Sequence, residues 1–258
     1  ISFVENKIPQ EQIVTLKNYY QVPHSSTLYS AGTRFVRSTE KAAPNFISTY
    51  AYSPDKNMFI TIELPQELCI EQIPQSPQKQ RDLFIAILKE WAHSNTGIFP
   101  YALGGASIGY PYKKNNAHIK YHHKHFKRIS IYNRHRQNKG TLFGIDCAHL
   151  IARAAQIAGI PFFVKNTPTI QQTLSPLKKE EPIENGDIIV WKGHAVVISD
   201  VEKGLIIESR GYEHGYGKVQ EIPLSEQFYG IETIENLRHV LFEGGAVTRL
   251  NKHGKKVQ

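Results

Sequence analysis

Gly144-Ile145-Asp146-Cys147-Ala148-His149-Leu150-Ile151 is the stretch on which the reading of this chain turns. A turn glycine and an acid precede the cysteine. Leu150, Ile151, Ala154, Ile157 and Ala158 then follow with the apolar spacing of a buried helix, closed by Gly159 and Pro161. Cys147 therefore falls in the first helical turn, where free backbone N–H groups and the positive end of the helix dipole favour thiolate over thiol. That is the setting of a cysteine nucleophile. The other reading is a small buried apolar residue, a common place for a free cysteine. One cysteine decides nothing without partners.

The chain has 258 residues, enough for one large or two small domains with a proper core. Its 40% hydrophobic and 21% charged content is ordinary for a soluble globular protein, and no apolar run approaches the roughly 20 residues of a membrane span. A signal peptide, where there is one, would lie ahead of Ile1. The two cysteines are Cys69 and Cys147, and a nucleophile at Cys147 precludes a stable disulfide between them. Cys69 has no His or acidic motif around it and reads as packing.

The net charge of +8 is local. Lys113, Lys114, Lys120, Lys124, Lys127, Arg128, Arg134, Arg136 and Lys139 fall between Tyr110 and Phe143 with no acid among them, so the rest of the chain is close to neutral. His118, His122, His123 and His125 crowd the same insertion. It offers no Cys or carboxylate, and its cations oppose a dication, so no metal site is expected. Interleaved Tyr112, Tyr121, Phe126 and Tyr132 suit a polyanion, an anionic polymer before nucleic acid. A solvated surface is the other reading.

In chain order, residues 1–30 are weakly patterned, with a short helix expected over 10–20. Short β-type runs at 33–37, 46–52 and 58–62 suggest a small barrel over 31–75. After a linker at 72–77, Ser76-Pro77 opens a helix with Leu83, Phe84, Ile87, Leu88 and Trp91 on one face. Residues 162–174 read as loop. Residues 185–200 give a strand, a turn at Gly193 and a second strand opened by His194, whose alternation sets it on the face of Val196 and Ile198. Lys203-Gly204 turns into a strand at 205–209. A strand at 237–242 is expected to close the sheet, and 244–258 to form a frayed tail.

A cysteine nucleophile needs a base to take its proton and return it to the leaving amine, and the base needs a third group to orient it. Cys147, His194 and Glu208 supply those types. The short connection 201–204 pairs the strands of His194 and Glu208 as a hairpin, and the carboxylate is expected at Nδ1 of His194.

These residues resemble the NlpC-type cell-wall peptidases. Gly144-Ile145-Asp146-Cys147-Ala148-His149-Leu150-Ile151 is similar to their Gly-x-Asp-Cys-Ser-Gly-Leu-Val motif, and Pro100-Tyr101-Ala102-Leu103-Gly104-Gly105 to their Pro-Tyr-x-Trp-Gly-Gly. Asn185-Gly186-Asp187 through Gly193-His194 resembles their Pro-Gly-Asp-Leu…His-Val segment. The resemblance covers roughly residues 79–243 and implies an α+β fold. Its catalytic part would be papain-like, a nucleophile helix packed on an antiparallel sheet over 76–243 with the basic insertion at 110–143. An SH3-like β domain over 31–75 would precede it.

The implied activity is cleavage of γ-D-glutamyl–diaminopimelate bonds in peptidoglycan stem peptides, through a thioester and without cofactor, in the bacterial periplasm or outside the cell. Cys147 would be nucleophile, with its backbone N–H an oxyanion donor, His194 base and Glu208 orienting residue. Tyr101 would sit beside the thiol, Asp146 would bind the free α-amine of the stem peptide, and Ala148 and His149 would shape the pocket wall. Ala148-His149 stands in place of Ser-Gly, Leu103 in place of Trp, and Glu208 in place of the usual His. The run 186–208 also resembles CHAP-type amidases, where Glu takes that place. Two other functions stay open: a secreted amidase or deamidase acting on another amide, and a non-catalytic protein that binds cell wall or polyanion.

Overall fold

The computed structural model describes residues 10–23, 27–53, 56–94, 99, 101, 106–107, 144–161, 166–211 and 214–257. The basic insertion, its histidine cluster and the Gly104-Gly105 pair lie outside them.

The fold is α+β with antiparallel sheets. Its N-terminal part comprises β1 (Ile13–Leu16), β2 (Tyr20–Gln21), β3 (Leu28–Tyr29), β4 (Arg34–Arg37), β5 (Phe46–Ser53), β6 (Met58–Pro65) and β7 (Cys69–Ile70). Five of these form one sheet in the order β6-β5-β4-β1-β7, around Val14, Leu16, Phe35, Ile47, Ala51, Ile62 and Leu64. The helix expected over 10–20 is instead a 3-10 turn, Gln10–Gln12, and then β1. Ile13, Leu16 and Tyr20 fit a helical period, but pairing with β4 and β7 buries β1 from both sides, and that outweighs local pattern. The sheet thus takes in chain from the 1–30 segment, and the boundary expected at residue 31 falls inside it. Cys69 pairs with Leu16, and burial beside the Glu71 charge pushes its thiol up to about 12.

The Pro77–Ala92 helix starts where expected. Ser76 caps it by accepting from Lys79 N–H, and Pro77 fits the first turn. Phe84, Ile87, Leu88 and Trp91 are buried, each contributing about 1.5–3 kcal/mol. The Trp91 indole N–H donates to the Lys17 carbonyl at 3.1 Å and ties this helix to the N-terminal sheet.

Two short strands, β8 (Ala106–Ser107) and β9 (Gly144–Ile145), pair with each other ahead of the Cys147–Ala158 helix. Gly159 ends that helix in the left-handed region, φ 78°, where its N–H reaches back to the last turn. The central sheet is β10 (Ile188–Trp191), β11 (His194–Asp200), β12 (Leu205–Arg210) and β13 (Lys218–Pro223), antiparallel and in sequence order. Gly193, φ 87°, makes the tight turn between β10 and β11. Ala195, Val197, Ile207 and Val219 on one face pack with the Pro77–Ala92 and Cys147–Ala158 helices. Val196, Ile198, Ile206 and Ile222 on the other pack with Leu224, Phe228, Ile231, Ile234 and Leu237. The sheet is therefore covered on both sides.

The strand expected at 237–242 is the Ile234–Glu243 helix. Thr233 and Asn236 form a reciprocal capping box, Gly244 closes the other end at φ 91°, and Ile234 and Leu237 bury one helical face. Residues 167–174, expected as loop, hold the Thr167–Thr173 helix, capped by Asn166 and Thr169. The expected frayed tail is a hairpin of β14 (Arg249–Leu250) and β15 (Lys256–Val257), docked through a bridge from Arg249 to Phe228. No described helix is long and apolar enough to cross a membrane.

Candidate active site

Asp146, the residue before the Cys147–Ala158 helix, accepts from His149 N–H at 2.9 Å and so caps it, fixing the first turn on which the cysteine sits. Cys147 is 7% exposed. Its own backbone N–H, at the first helical position, has no acceptor within the helix and is available to a developing oxyanion.

His194 opens β11. Val197 faces Ile207 and Ile198 faces Ile206 across β11 and β12, and the same register sets Val196 opposite Glu208. His194 and Glu208 are then diagonal neighbours on one face, a separation that two long side chains can span. His194 Nε2 lies 3.0 Å from Glu208 Oε2, and the Cys147 side chain lies near enough to bear on the His194 ring electrostatically. With Nε2 committed to Glu208, Nδ1 is the nitrogen left for sulfur. The carboxylate thus sits on Nε2, not on Nδ1 as expected. The ring is held across the strands by its far nitrogen, and the nitrogen nearer the backbone turns to the helix. The Cys147–Ala158 helix packs on the opposite face of the sheet, so thiol and imidazole meet at the end of the sheet, where β11 begins.

Burial alone would push the His194 ring down. The interactions with Cys147 and Glu208 outweigh it and raise the ring to about 9. Burial would likewise push the Glu208 carboxyl up, but the His194 hydrogen bond, the Arg210 and His194 charges and the Gln220 amide hold it below the usual range. The pair is thus stabilised as imidazolium and carboxylate.

Tyr101 runs beside the site. Its N–H donates to Gly217 at 2.8 Å and its backbone bridges Ile145, two residues before Cys147. The ring lies against Gly211, where a Cβ would come within 3.1 Å of it. Burial and the nearby Cys147 and Asp146 charges push the phenol up. Tyr101, Asp146 and Cys147 are therefore brought together.

Asp146 Oδ1 also lies 2.9 Å from His149 Nδ1, and that bond raises the His149 ring against partial burial. The His149 imidazole, expected to shape the pocket wall, is thus fastened to the acid expected to receive the substrate amine. Ala148 is 3% exposed and belongs to the buried cluster that holds Ile151 and Ala155 of the same helix.

Three residues escaped the sequence reading. Gln220, register partner of Glu208 on β13, donates to Glu208 Oε1 at 3.0 Å. Arg210 Nε lies 3.2 Å from the same oxygen. Ser209 Oγ donates to the Ile145 carbonyl at 2.7 Å and pins β9 against β12. Arg210 carried a signal, two residues beyond Glu208 on the same strand face. Gln220 carried none without the register of β13. Neither a family model, nor a curated protein, nor a solved structure matches this chain.

Proposed function

We propose that this protein is a cysteine hydrolase of papain-like type that cleaves amide bonds in peptidoglycan stem peptides at the γ-D-glutamyl–diaminopimelate position, in the bacterial cell envelope. The observation that carries this reading is the juxtaposition of Cys147 at a helix N-terminus, the His194 ring it bears on, and the buried Glu208 carboxylate hydrogen-bonded to that ring. The Asp-Cys, Tyr and Gly-Asp…Gly-His motifs of the sequence supply the substrate class. They also favour an SH3-like module in the small N-terminal sheet.

The Cys147 thiolate attacks the amide carbon, and the carbonyl oxygen takes negative charge beside the Cys147 N–H. The tetrahedral adduct collapses as the His194 imidazolium gives its proton to the leaving nitrogen, so the C–N bond breaks and a thioester remains. Neutral His194 then takes a proton from water. The resulting hydroxide attacks the thioester, releasing the carboxylic acid and the thiolate and restoring the imidazolium. Glu208 holds the ring throughout and offsets its charge. Tyr101 lines the site.

One observation favours a second reading, an amidase or deamidase for a substrate without a free amine: Asp146 Oδ1 is already engaged by the backbone N–H and the ring Nδ1 of His149. Mass-spectrometric assay of L-Ala-γ-D-Glu-diaminopimelate peptides with free and acetylated N-termini, using native protein and Cys147→Ala, tests both. Release of L-Ala-γ-D-Glu by native protein alone supports the hydrolase. Equal cleavage of both peptides supports the second reading, and no cleavage of either removes the peptidoglycan substrate.

A further inference from the structure

Glu208 is a carboxylate with no contact to water, its side chain 0% exposed. Oε2 serves His194, while Oε1 accepts from the Gln220 amide and faces Arg210 Nε, an ion pair without hydrogen-bond alignment. His194, Arg210 and Gln220 are thus the charged and polar groups that bear on it, from β11, β12 and β13. A buried carboxylate stays ionised and aimed only when a fixed cation and donors replace its water. A guanidinium suits this because it does not deprotonate at any relevant pH.

Arg210 is itself almost fully buried, its side chain 8% exposed, and is held from elsewhere in the chain. Its Nη1 donates to the Leu250 carbonyl on β14 at 2.9 Å. The preceding residue, Arg249, sets its guanidinium over the Trp191 ring at 5.8 Å. Trp191 in turn meets the His194 ring edge-on, centroids 5.1 Å apart. Two successive residues of β14 therefore reach the two members of the histidine–carboxylate pair by separate routes. The hairpin is fastened in turn: Lys252 N–H donates to His214, and Asn251 Oδ1 accepts from the His253 and Lys255 N–H groups to hold the turn. Gly215 lies so close to the Arg210 stem that a Cβ there would come within 2.8 Å of it.

We infer that Arg210 is a positioning residue for the Glu208 carboxylate and that the C-terminal hairpin is the support that holds Arg210 in place. The inference rests on the cysteine-hydrolase reading of the site. It makes residues 249–257 part of the working apparatus, although they touch neither the thiol nor a substrate.

The test is the pH dependence of Cys147 alkylation by iodoacetamide, read peptide by peptide in the full chain for native protein, Arg210→Met, Arg210→Lys and Asn251→Ala. The imidazolium that supports the reactive thiolate depends on an ionised Glu208, so reactivity falls as acid protonates that carboxylate. Arg210→Met moves the acid limb to higher pH by about one unit, roughly tenfold in rate at the foot of the limb. Arg210→Lys keeps the cation but loses the second hold and moves it less. Asn251→Ala, with Arg210 intact, moves it in the same direction by loosening the hairpin. An unmoved limb in Arg210→Met, or in Arg210→Lys where the Met variant does not fold, overturns the role of Arg210. An unmoved limb in Asn251→Ala overturns that of the hairpin, whatever the melting temperature does. Alkylation needs no substrate, so failure to cleave peptides counts against the proposed activity alone. Native Cys147 that resists alkylation at every pH overturns both.

Discussion

His194 and Glu208 meet diagonally across two antiparallel strands, Nε2 to Oε2 at 3.0 Å, with the carboxylate wholly out of water. A buried pair of that kind adds little net stability to a fold. Desolvating two charges costs several kcal/mol per ion, and a well-packed apolar pair would serve the core about as well. What the charged pair adds is a proton held on a ring beside a thiol.

Glu208→Gln keeps the shape and one hydrogen bond but removes the charge that balances the imidazolium. Cleavage should fall about 10²–10⁴-fold with the protein folded. The variant also leaves Arg210 buried without its counter-charge, a loss on the order of 3–5 kcal/mol in urea unfolding. Adding Arg210→Met to Glu208→Gln should recover part of that stability and none of the activity. A single variant as stable as the native protein would remove the ion pair from the account.

The His194 ring is raised to about 9, so its proton is in place at neutral pH and is lost as pH climbs through that value. Turnover needs that proton for the leaving amine and should therefore decline on the alkaline side near 9. Stability follows the same sign. The contribution of the raised ring is complete below the ordinary histidine value of about 6.5 and fades between there and 9. The depressed Glu208 works the other way, contributing above the ordinary carboxylate value and losing its effect as pH falls through the folded one. Urea midpoints followed across pH for native protein and His194→Gln should differ in slope on the alkaline side. Parallel curves would mean that His194 is not raised.

The Cys147–Ala158 helix, the Pro77–Ala92 helix and the His194 hairpin were legible because each carries its own punctuation: a capping residue or turn glycine at the ends and an apolar face between. β1 was not, because its apolar residues fit two periods and only pairing with β4 and β7 decides between them. The Ile234–Glu243 helix was missed although Thr233, Asn236 and Gly244 mark its ends, since Leu237 to Phe242 also reads as a short apolar run. In the site, the three chemical groups were visible as residue types. Their supports were not. Gln220 reaches Glu208 through strand register, and Arg210 is fixed by a backbone carbonyl forty residues away, neither of which leaves a local pattern.

Gly159→Ala should cost about 2–4 kcal/mol. The left-handed backbone is strained for any side chain, by about 1–2 kcal/mol, and the new methyl runs into Ile73, whose Cγ2 stands 1.9 Å from the position of a Cβ. Ile73→Ala in the same chain should relieve the steric part and leave the backbone part. Urea unfolding of the two variants and their combination gives the split, and additive losses would refute the clash.

Asp146 has two structural duties, and they can be separated by pH. It caps the Cys147–Ala158 helix through the His149 N–H and pairs with the His149 ring, both through Oδ1. Asparagine caps a helix about as well as aspartate, whereas alanine forfeits roughly 1 kcal/mol. Asp146→Asn therefore keeps the cap and loses the ionic partner. The His149 ring is raised by that partner, so the pairing contributes fully below about pH 6.5 and is lost as the ring deprotonates at higher pH. Asp146→Asn should be less stable than native protein in mild acid and equal to it in mild alkali, while Asp146→Ala should be less stable in both. Urea midpoints at the two pH values decide it. An asparagine variant as stable as native protein at both would show that the cap, rather than the charge, is what Asp146 gives to the fold.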